Sequence, residues 1–280
     1  MKCYLCGSAE HVERPGKVRD NAGLKVYECL SCGLVFLSSF KHIGKGFYEQ
    51  SGMHGGDVPL ENWLKETAPD DERRFRFLEQ YMRGKSVLDF GCGNGGFIER
   101  AAAVADGVSG LEPEQRLKAY FQKKGIRVFP EISGLKEKWD IITMFHVLEH
   151  LPDPRKTLKE LAGKLKPGGK VIVEVPNSKD ALLTLYKSGP FSEFTYWSCH
   201  LFLFNAATLS AVAEQAGYRV EFIKHIQRYP VSNHLHWLAE GKPGGHSKWQ
   251  FVDSPELNSA YENSLGGLGI TDTVMAGLSI

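Results

Sequence analysis

Four cysteines open the chain as two Cys-x-x-Cys pairs, Cys3 with Cys6 and Cys29 with Cys32, and the second cysteine of each pair is followed by glycine, Gly7 and Gly33. Four thiolates at this spacing supply a tetrahedral set for one zinc ion, and a short segment with little core of its own needs such a staple to fold. A closed four-sulfur set leaves no coordination position for water or substrate, so the chemistry expected there is structural. Two disulfides or a redox pair are the alternatives, and a reducing compartment disfavours the former. Further along, Asp89 and Glu112 could carry charge recognition, and the histidines His146, His150, His200, His234, His236 and His246 could carry proton transfer, because imidazole titrates close to neutral pH. Cys92 and Cys199 read as buried small residues rather than nucleophiles.

The elements that must position these groups are legible around them. Val87 to Phe97 reads as a buried strand that ends in an acid, Asp89, and spills into a Gly91-Cys92-Gly93 turn before a helix. Such a turn brings backbone N–H groups and a helix N-terminus beside a ligand, with no Cβ to block close approach. Dinucleotide enzymes use a similar turn, so the glycines alone decide nothing. The carboxylate of Asp89, two residues before the first glycine, does discriminate: it would repel a pyrophosphate and suits a cationic ligand such as S-adenosylmethionine. Gly107 to Pro113 reads as the next strand, ending in Glu112 about 20 residues past the glycines, where a carboxylate accepts two ribose hydroxyls. Trp139 to His150 reads as a fourth strand running into a loop, with Pro152-Asp153-Pro154 opening a helix. Leu165 to Lys170 then turns into an apolar strand, Val171 to Val175.

In this order and register, the blocks are similar to those of class I S-adenosylmethionine-dependent methyltransferases, over roughly residues 85 to 225. The resemblance implies an α/β, doubly wound, Rossmann-like seven-stranded sheet, here behind an N-terminal zinc ribbon. It implies that Asp89, Gly91 and Gly93 cradle the methionine part and ribose, that Glu112 holds the ribose hydroxyls, and that Phe145 and His146 line the sulfonium. The expected organisation is a ribbon over 1–45, a lid and linker helix over 46–83, and a methyltransferase domain over 84–280. In this fold the last two strands are an antiparallel pair, so Arg219 to Ile226 should pair with Asp272 to Ile280 and residues 229–270 become an insertion between them.

Within the ribbon, Gly16 to Glu28 reads as a hairpin turning at Asp20 to Gly23. Phe47 to Gly56 is glycine-rich with interleaved aromatics and reads either as a lid that puts Tyr48 near the chemistry or as a linker. Asp70 to Met82 has the apolar spacing of an amphipathic helix, and Asn205 caps a helix that ends at Gly217. The insertion carries His234, His236, Trp237, Lys242, His246 and Trp249; it reads as a long functional loop of the acceptor site, the alternatives being a packing flap or a homodimer contact.

The 280 residues are 42% hydrophobic with a formal charge of +1, which suits a globular enzyme and gives no field for a polyanion. No run resembles a signal peptide or membrane span, so a cytoplasmic location without membrane attachment is the expectation. Residues 1 to 45 hold seven Lys/Arg (Lys2, Arg14, Lys17, Arg19, Lys25, Lys41, Lys45) against four acids (Glu10, Glu13, Asp20, Glu28), a mild excess that makes a ribosomal RNA methyltransferase the weaker alternative. A non-catalytic cofactor-binding module would be expected to lose the very motif that is present.

The ribbon, with His200-Leu201-Phe202-Leu203-Phe204 leading into the capped helix, is similar to methyltransferases of sugars and surface polysaccharides, among them the deoxysugar C-methyltransferases. The chain departs from those by lacking a counterpart of their further C-terminal domain. The expected acceptor is therefore a sugar, nucleotide-sugar or related hydroxylated metabolite methylated on oxygen, with sugar C-methylation the alternative. His200, in the loop after the fifth strand, is the expected general base and His146 the second choice; His150 is expected to make a structural hydrogen bond.

Overall fold

The computed structural model describes residues 1–44, 46–50 and 58–280. Three short strands come first, β1 (His11–Glu13), β2 (Val26–Cys29) and β3 (Val35–Leu37), followed by the long helix α1 (Leu60–Met82). An alternating run then builds β4 (Ser86–Phe90), α2 (Gly96–Ala101), β5 (Gly107–Leu111), α3 (Lys118–Lys124), β6 (Val128–Phe129), β7 (Trp139–Phe145), α4 (Pro154–Ala162) and β8 (Leu165–Pro176). Beyond it lie α5 (Ala181–Thr184), α6 (Gly189–Thr195), β9 (Phe202–Leu203), α7 (Ala206–Gln215), β10 (Arg219–Ile226), α8 (Val231–Glu240), α9 (Gly245–Lys248), α10 (Pro255–Leu268) and β11 (Thr273–Ser279).

Seven strands form one sheet in the order β10-β11-β8-β7-β4-β5-β6. Its pairs are parallel from β8 through β6, while β11 runs antiparallel to both β8 and β10. The expected seven-stranded, doubly wound α/β sheet is thus the one observed. Helices cover both faces, which explains why β4, β7 and β8 read as continuous apolar runs rather than alternating ones; Leu88, Ile142, Val171, Ile172 and Val173 have no exposed surface. The order reverses between β4 and β7, and that switch point leaves a crevice at the carboxyl ends of the strands. Register there is set by Asp89 lying opposite Thr143 on one side and Gly110 on the other.

The N-terminal strands do not stand apart. β3 pairs with β9, so the second sheet runs β1-β2-β3-β9 and its last strand comes from the chain beyond β8. Leu37 N donates to Leu201 O at 3.0 Å, Ser198 N and Oγ donate to the Asp20 carboxylate at 2.9 and 2.7 Å, and Arg14 reaches Ser178 O at 2.9 Å. One apolar core consequently runs from Cys3 and Phe36 through Phe202 and Phe204 to Val173.

Three local expectations need correcting. The N-terminal hairpin pairs β1 with β2, so only its second arm lies in Gly16 to Glu28, and residues 14–25 form the irregular connection, with its bend at Asp20 to Gly23 as expected. The amphipathic helix begins ten residues earlier than Asp70, at Leu60, and continues through Pro69, which breaks the sequence signal without breaking the helix. The insertion is not a loop: α8, α9 and α10 fill it, the last opened by a Ser254 cap with Pro255 in the first turn. Of the glycine-rich lid segment, Ser51 to Gly56 lie outside the described residues. No helix among the described residues is long and apolar enough to cross a membrane.

Candidate active site

A cavity of about 420 Å³ occupies the crevice at the switch point. Its floor is the turn after β4. Gly91 has φ of +75°, and a Cβ there would lie 2.3 Å from the Val147 side chain, so only glycine lets the loop after β7 close against this turn. Asp89, Gly91, Gly93, Glu112, Phe145 and His146 all line this one cavity, together with Asn94, Phe97, Trp63, Asp71 and Arg228. Glu112 accepts from the Gly93 and Glu114 backbone N–H groups at 2.9 and 3.0 Å, which ties the end of β5 to the glycine turn.

Asp89 is 3% exposed and accepts from Thr143 Oγ1 at 2.7 Å. Burial pushes its carboxyl up to about 7, against the pull of that hydrogen bond and of Arg74. Burial likewise lifts Glu112 to about 7, although two backbone N–H groups favour its charged form. Two carboxyls held half-protonated near neutral pH, facing one cavity, suit a ligand that brings a positive charge and hydroxyl donors. A cavity with this glycine cradle and these acids fits S-adenosylmethionine; among the described residues its lining offers no unpaired cation of the kind a pyrophosphate would require.

The roof comes from α1 and the end of β10. Arg73 and Arg74 both reach the Glu174 carboxylate, at 3.0 and 2.7 Å, and Glu174 has no exposed surface. Burial disfavours its charge, but Arg74, His146 and Arg73 outweigh that and hold it well below the usual carboxylate range. Arg228 grips Asp70 with Nε 3.0 Å from each carboxylate oxygen and lies 3.1 Å from His146 Nε2. His146 itself has φ of +54°, a left-handed conformation that turns the chain sharply off β7 into the cavity.

Behind His146 sits a cluster of buried polar groups. Glu149 has no exposed surface, and among the described residues neither of its oxygens has a hydrogen bond of good geometry, although His146 Nδ1 lies 3.3 Å from one of them. Among the described residues the Nδ1 atoms of His150 and His200 also lack partners. Glu149, His150 and His200 present donor atoms all within 4.8 Å of one another, a set able to share a proton or to hold a cation. His150 does hydrogen-bond the Cys199 backbone, and Tyr48 OH donates to the His150 carbonyl at 3.1 Å from the wall of the cavity.

His200 does not line the first cavity. It lines a second one of about 220 Å³, walled by Phe191, Phe194 and Trp237, and its ring packs 5.1 Å from that of His150. Burial drives the His200 imidazole down to about 3, so in this state it is neutral near pH 7 and a weak base, with Glu149 the neighbour that favours its protonated form. The two cavities share Arg228. Of the insertion residues, His234, Trp237 and His246 face the second cavity, whereas His236 spends its Nδ1 on the Lys242 carbonyl and packs on Trp249.

A family model described as a methyltransferase domain matches residues 64–222. The chain belongs to that family. A ubiquinone biosynthesis O-methyltransferase of Coxiella burnetii is 30% identical over 179 residues, covering 57% of this chain and 75% of that protein. A protein of the same name from Hydrogenovibrio crunogenus is 23% identical over 222 residues, 71% of this chain and 88% of that one. Among solved structures, a SAM-dependent methyltransferase from Thermotoga maritima shares the fold with a TM-score of 0.53 at 19% identity, covering 86% of this chain and 99% of that one. The protein is a SAM-dependent methyltransferase.

The walls of the first cavity also include residues that sequence reasoning passed over. Trp63, Thr67, Asp70 and Arg74 enter the cavity from α1, and Arg228 enters from the segment after β10. One signal was available: Glu174 interrupts the apolar run Val171 to Val175, and an acid inside a buried strand requires cations from elsewhere. At the N-terminus, the sulfurs of Cys3 and Cys32, and of Cys6 and Cys29, lie 3.5 Å apart, and all four fall within 4.8 Å of one another. Tetrahedral zinc with bonds of about 2.3 Å would set sulfurs about 3.7 Å apart, so the set fits that ion.

Proposed function

We propose that the enzyme transfers the methyl group of S-adenosylmethionine to a hydroxyl of a ring-bearing small molecule, a sugar or related hydroxylated metabolite of surface-polysaccharide or secondary-metabolite biosynthesis. The observation that carries this reading is the pair of adjoining cavities, with His200 and His150 packed where they meet. S-adenosylmethionine supplies an electrophilic methyl on a sulfonium. The residues have three tasks: to hold donor and acceptor in line, to keep water out and to remove the hydroxyl proton. Asp89 and Glu112 fix the donor, Phe145 and His146 bound the reacting end, and Tyr48 bounds the cavity beside them. His200 takes the proton, and the buried Glu149 beside it stabilises the imidazolium that results.

O-methylation is favoured by the two relatives, both named ubiquinone biosynthesis O-methyltransferases. Their name also supports a second acceptor class, a phenolic hydroxyl, which the aromatic walls Phe191, Phe194 and Trp237 would accommodate. In this reading Cys3, Cys6, Cys29 and Cys32 hold one structural zinc ion in a ribbon over residues 1–45, residues 46–83 serve as lid and linker helix, and 84–280 form the catalytic domain.

The test is incubation with methyl-labelled donor and two sets of acceptors, sugars or nucleotide-sugars and mono- or dihydroxylated aromatic compounds. Label recovered as an acid-stable methyl ether in either set supports O-methylation and chooses between them. Label on carbon, or in RNA only, would overturn it.

A further inference from the structure

The second cavity has one charged side chain whose purpose the fold does not explain. Arg19 lines it from the N-terminal region, and among the described residues it has no acidic side-chain partner. The other permanent cation there, Arg228, is committed to Asp70. Asp20, the acid next to Arg19 in sequence, is occupied by the N–H and hydroxyl of Ser198. Of the five N–H donors a guanidinium carries, Arg19 spends one on Phe194 O, at 3.3 Å.

Although Arg19 is exposed, two rings place its guanidinium. The Arg19 guanidinium lies 4.4 Å from the centre of the Trp197 ring and 5.4 Å from that of Phe194. Trp197 in turn packs 5.3 Å from the His200 ring. One indole therefore separates the free fork of Arg19 from the histidine assigned as the base, and aromatic walls run beside it. The acids that face the same cavity do not cancel the charge. Asp180 is buried, which together with the nearby Asp272 pushes its carboxyl well above the usual range, and Asp272 accepts from the Arg228 and Tyr229 N–H groups and from Gln227 Nε2.

We propose that Arg19 is the anion-recognising residue of the acceptor site, so that the acceptor carries a carboxylate or phosphate on the side of its ring away from the hydroxyl that is methylated. This rests on the assignment of the second cavity to the acceptor. A planar fork held on an aromatic face meets either anion with two parallel hydrogen bonds, which an ammonium cannot reproduce. The N-terminal region thereby contributes directly to substrate choice, in addition to any structural zinc.

The experiment uses the full chain with S-adenosylhomocysteine bound and follows the titration of two matched pairs of probes calorimetrically: benzoate against benzyl alcohol, and glucose 1-phosphate against methyl glucoside. The anionic member of at least one pair should bind about ten-fold or more tightly than its neutral partner, the worth of one charge-assisted hydrogen-bond pair. The pair that responds tells carboxylate from phosphate. Arg19→Met should erase the preference, Arg19→Lys should keep part of it, and both should retain the melting temperature and the S-adenosylhomocysteine affinity of the parent. Equal binding within both pairs, or a preference that survives Arg19→Met, overturns the proposal. Turnover unaffected by His200→Ala would instead remove the acceptor-site assignment, and the Arg19 titration, which reads binding alone, stands or falls separately.

Discussion

Arg228 and Asp70 meet edge-on at the first cavity, with Arg228 Nε 3.0 Å from both carboxylate oxygens. The pair joins α1, which precedes the sheet in sequence, to the segment that leaves β10 near the far end of the chain. It therefore closes the roof of the donor site with residues 158 positions apart. Both side chains are mostly buried, at 22% and 18% exposure. Removing Asp70 leaves Arg228 as a buried cation without its carboxylate, which costs several kcal/mol. Asp70→Asn should destabilise the fold by about 3 kcal/mol and weaken donor binding, whereas Asp70→Asn combined with Arg228→Met should recover part of the stability. Chemical denaturation of the two variants checks this, and a double variant no more stable than the single one would contradict it.

His200 and His146 should respond differently to truncation. His146 lines the donor cavity and lies within 3.4 Å of Glu174, so His146→Ala should weaken S-adenosylmethionine binding as well as turnover. His200 belongs to the second cavity, so His200→Ala should lower kcat by about 10²- to 10⁴-fold and leave the donor dissociation constant unchanged. Parallel measurement of donor affinity and single-turnover rate separates the two, and a loss of donor affinity in His200→Ala would show that the cavities are not divided in this way.

Much of the donor half was legible in the sequence because its signals are local. The strand, acid and glycine turn at Asp89 to Gly93 are contiguous, and Glu112 follows at the spacing one crossover imposes. What escaped was assembled over distance. Nothing around Arg228 distinguishes it from any exposed arginine until α1 is placed over the sheet, and Pro69 concealed the first turns of that helix. The pairing of β3 with β9 was equally hidden, since two residues of β9 carry no readable period. The insertion was read as a loop because its apolar residues are thinly spread, while its caps and first-turn prolines, Pro230 before α8 and Pro255 in α10, marked helices.

Donor binding should depend on pH with a definite sign. Asp89 and Glu112 both titrate near 7 in the folded protein, above their ordinary values, because burial penalises their charge. Between the unfolded carboxylate values and about 7 the folded chain holds more protons than the unfolded one, so these two groups make stability decline as pH rises through that window. A ligand that brings a positive charge and ribose hydroxyls favours both carboxylates. Binding should therefore release protons, and affinity should rise from about pH 6 to 8. Calorimetry in buffers of different ionisation enthalpy measures the protons released; Asp89→Asn should reduce them. Affinity that is flat across this range would mean that neither acid changes its charge on binding.

Loss of the metal proposed for the four cysteines should be felt well beyond them. β3 begins three residues after Cys32 and pairs with β9, in the order Val35 to Leu203 and Phe36 to Phe202, and β9 follows His200 directly. Those two residue pairs, with the bond from Leu37 N to Leu201 O, fasten the loop that carries His200 to the N-terminal sheet. A sheet this small relies on its staple, so chelation or Cys29→Ser should loosen β2 and β3 first and then β9. Hydrogen exchange should accelerate at the amides of Val35 to Leu37 and of Leu201 to Leu203, while β4 and β7 in the central sheet keep their protection. Turnover should fall together with the exchange protection at Leu203, with donor affinity retained, because the first cavity draws none of its walls from residues 1–44. Unchanged exchange at Leu201 to Leu203 after zinc removal would show that the apolar contacts of Phe36, Phe202 and Phe204 hold the loop without help from the metal.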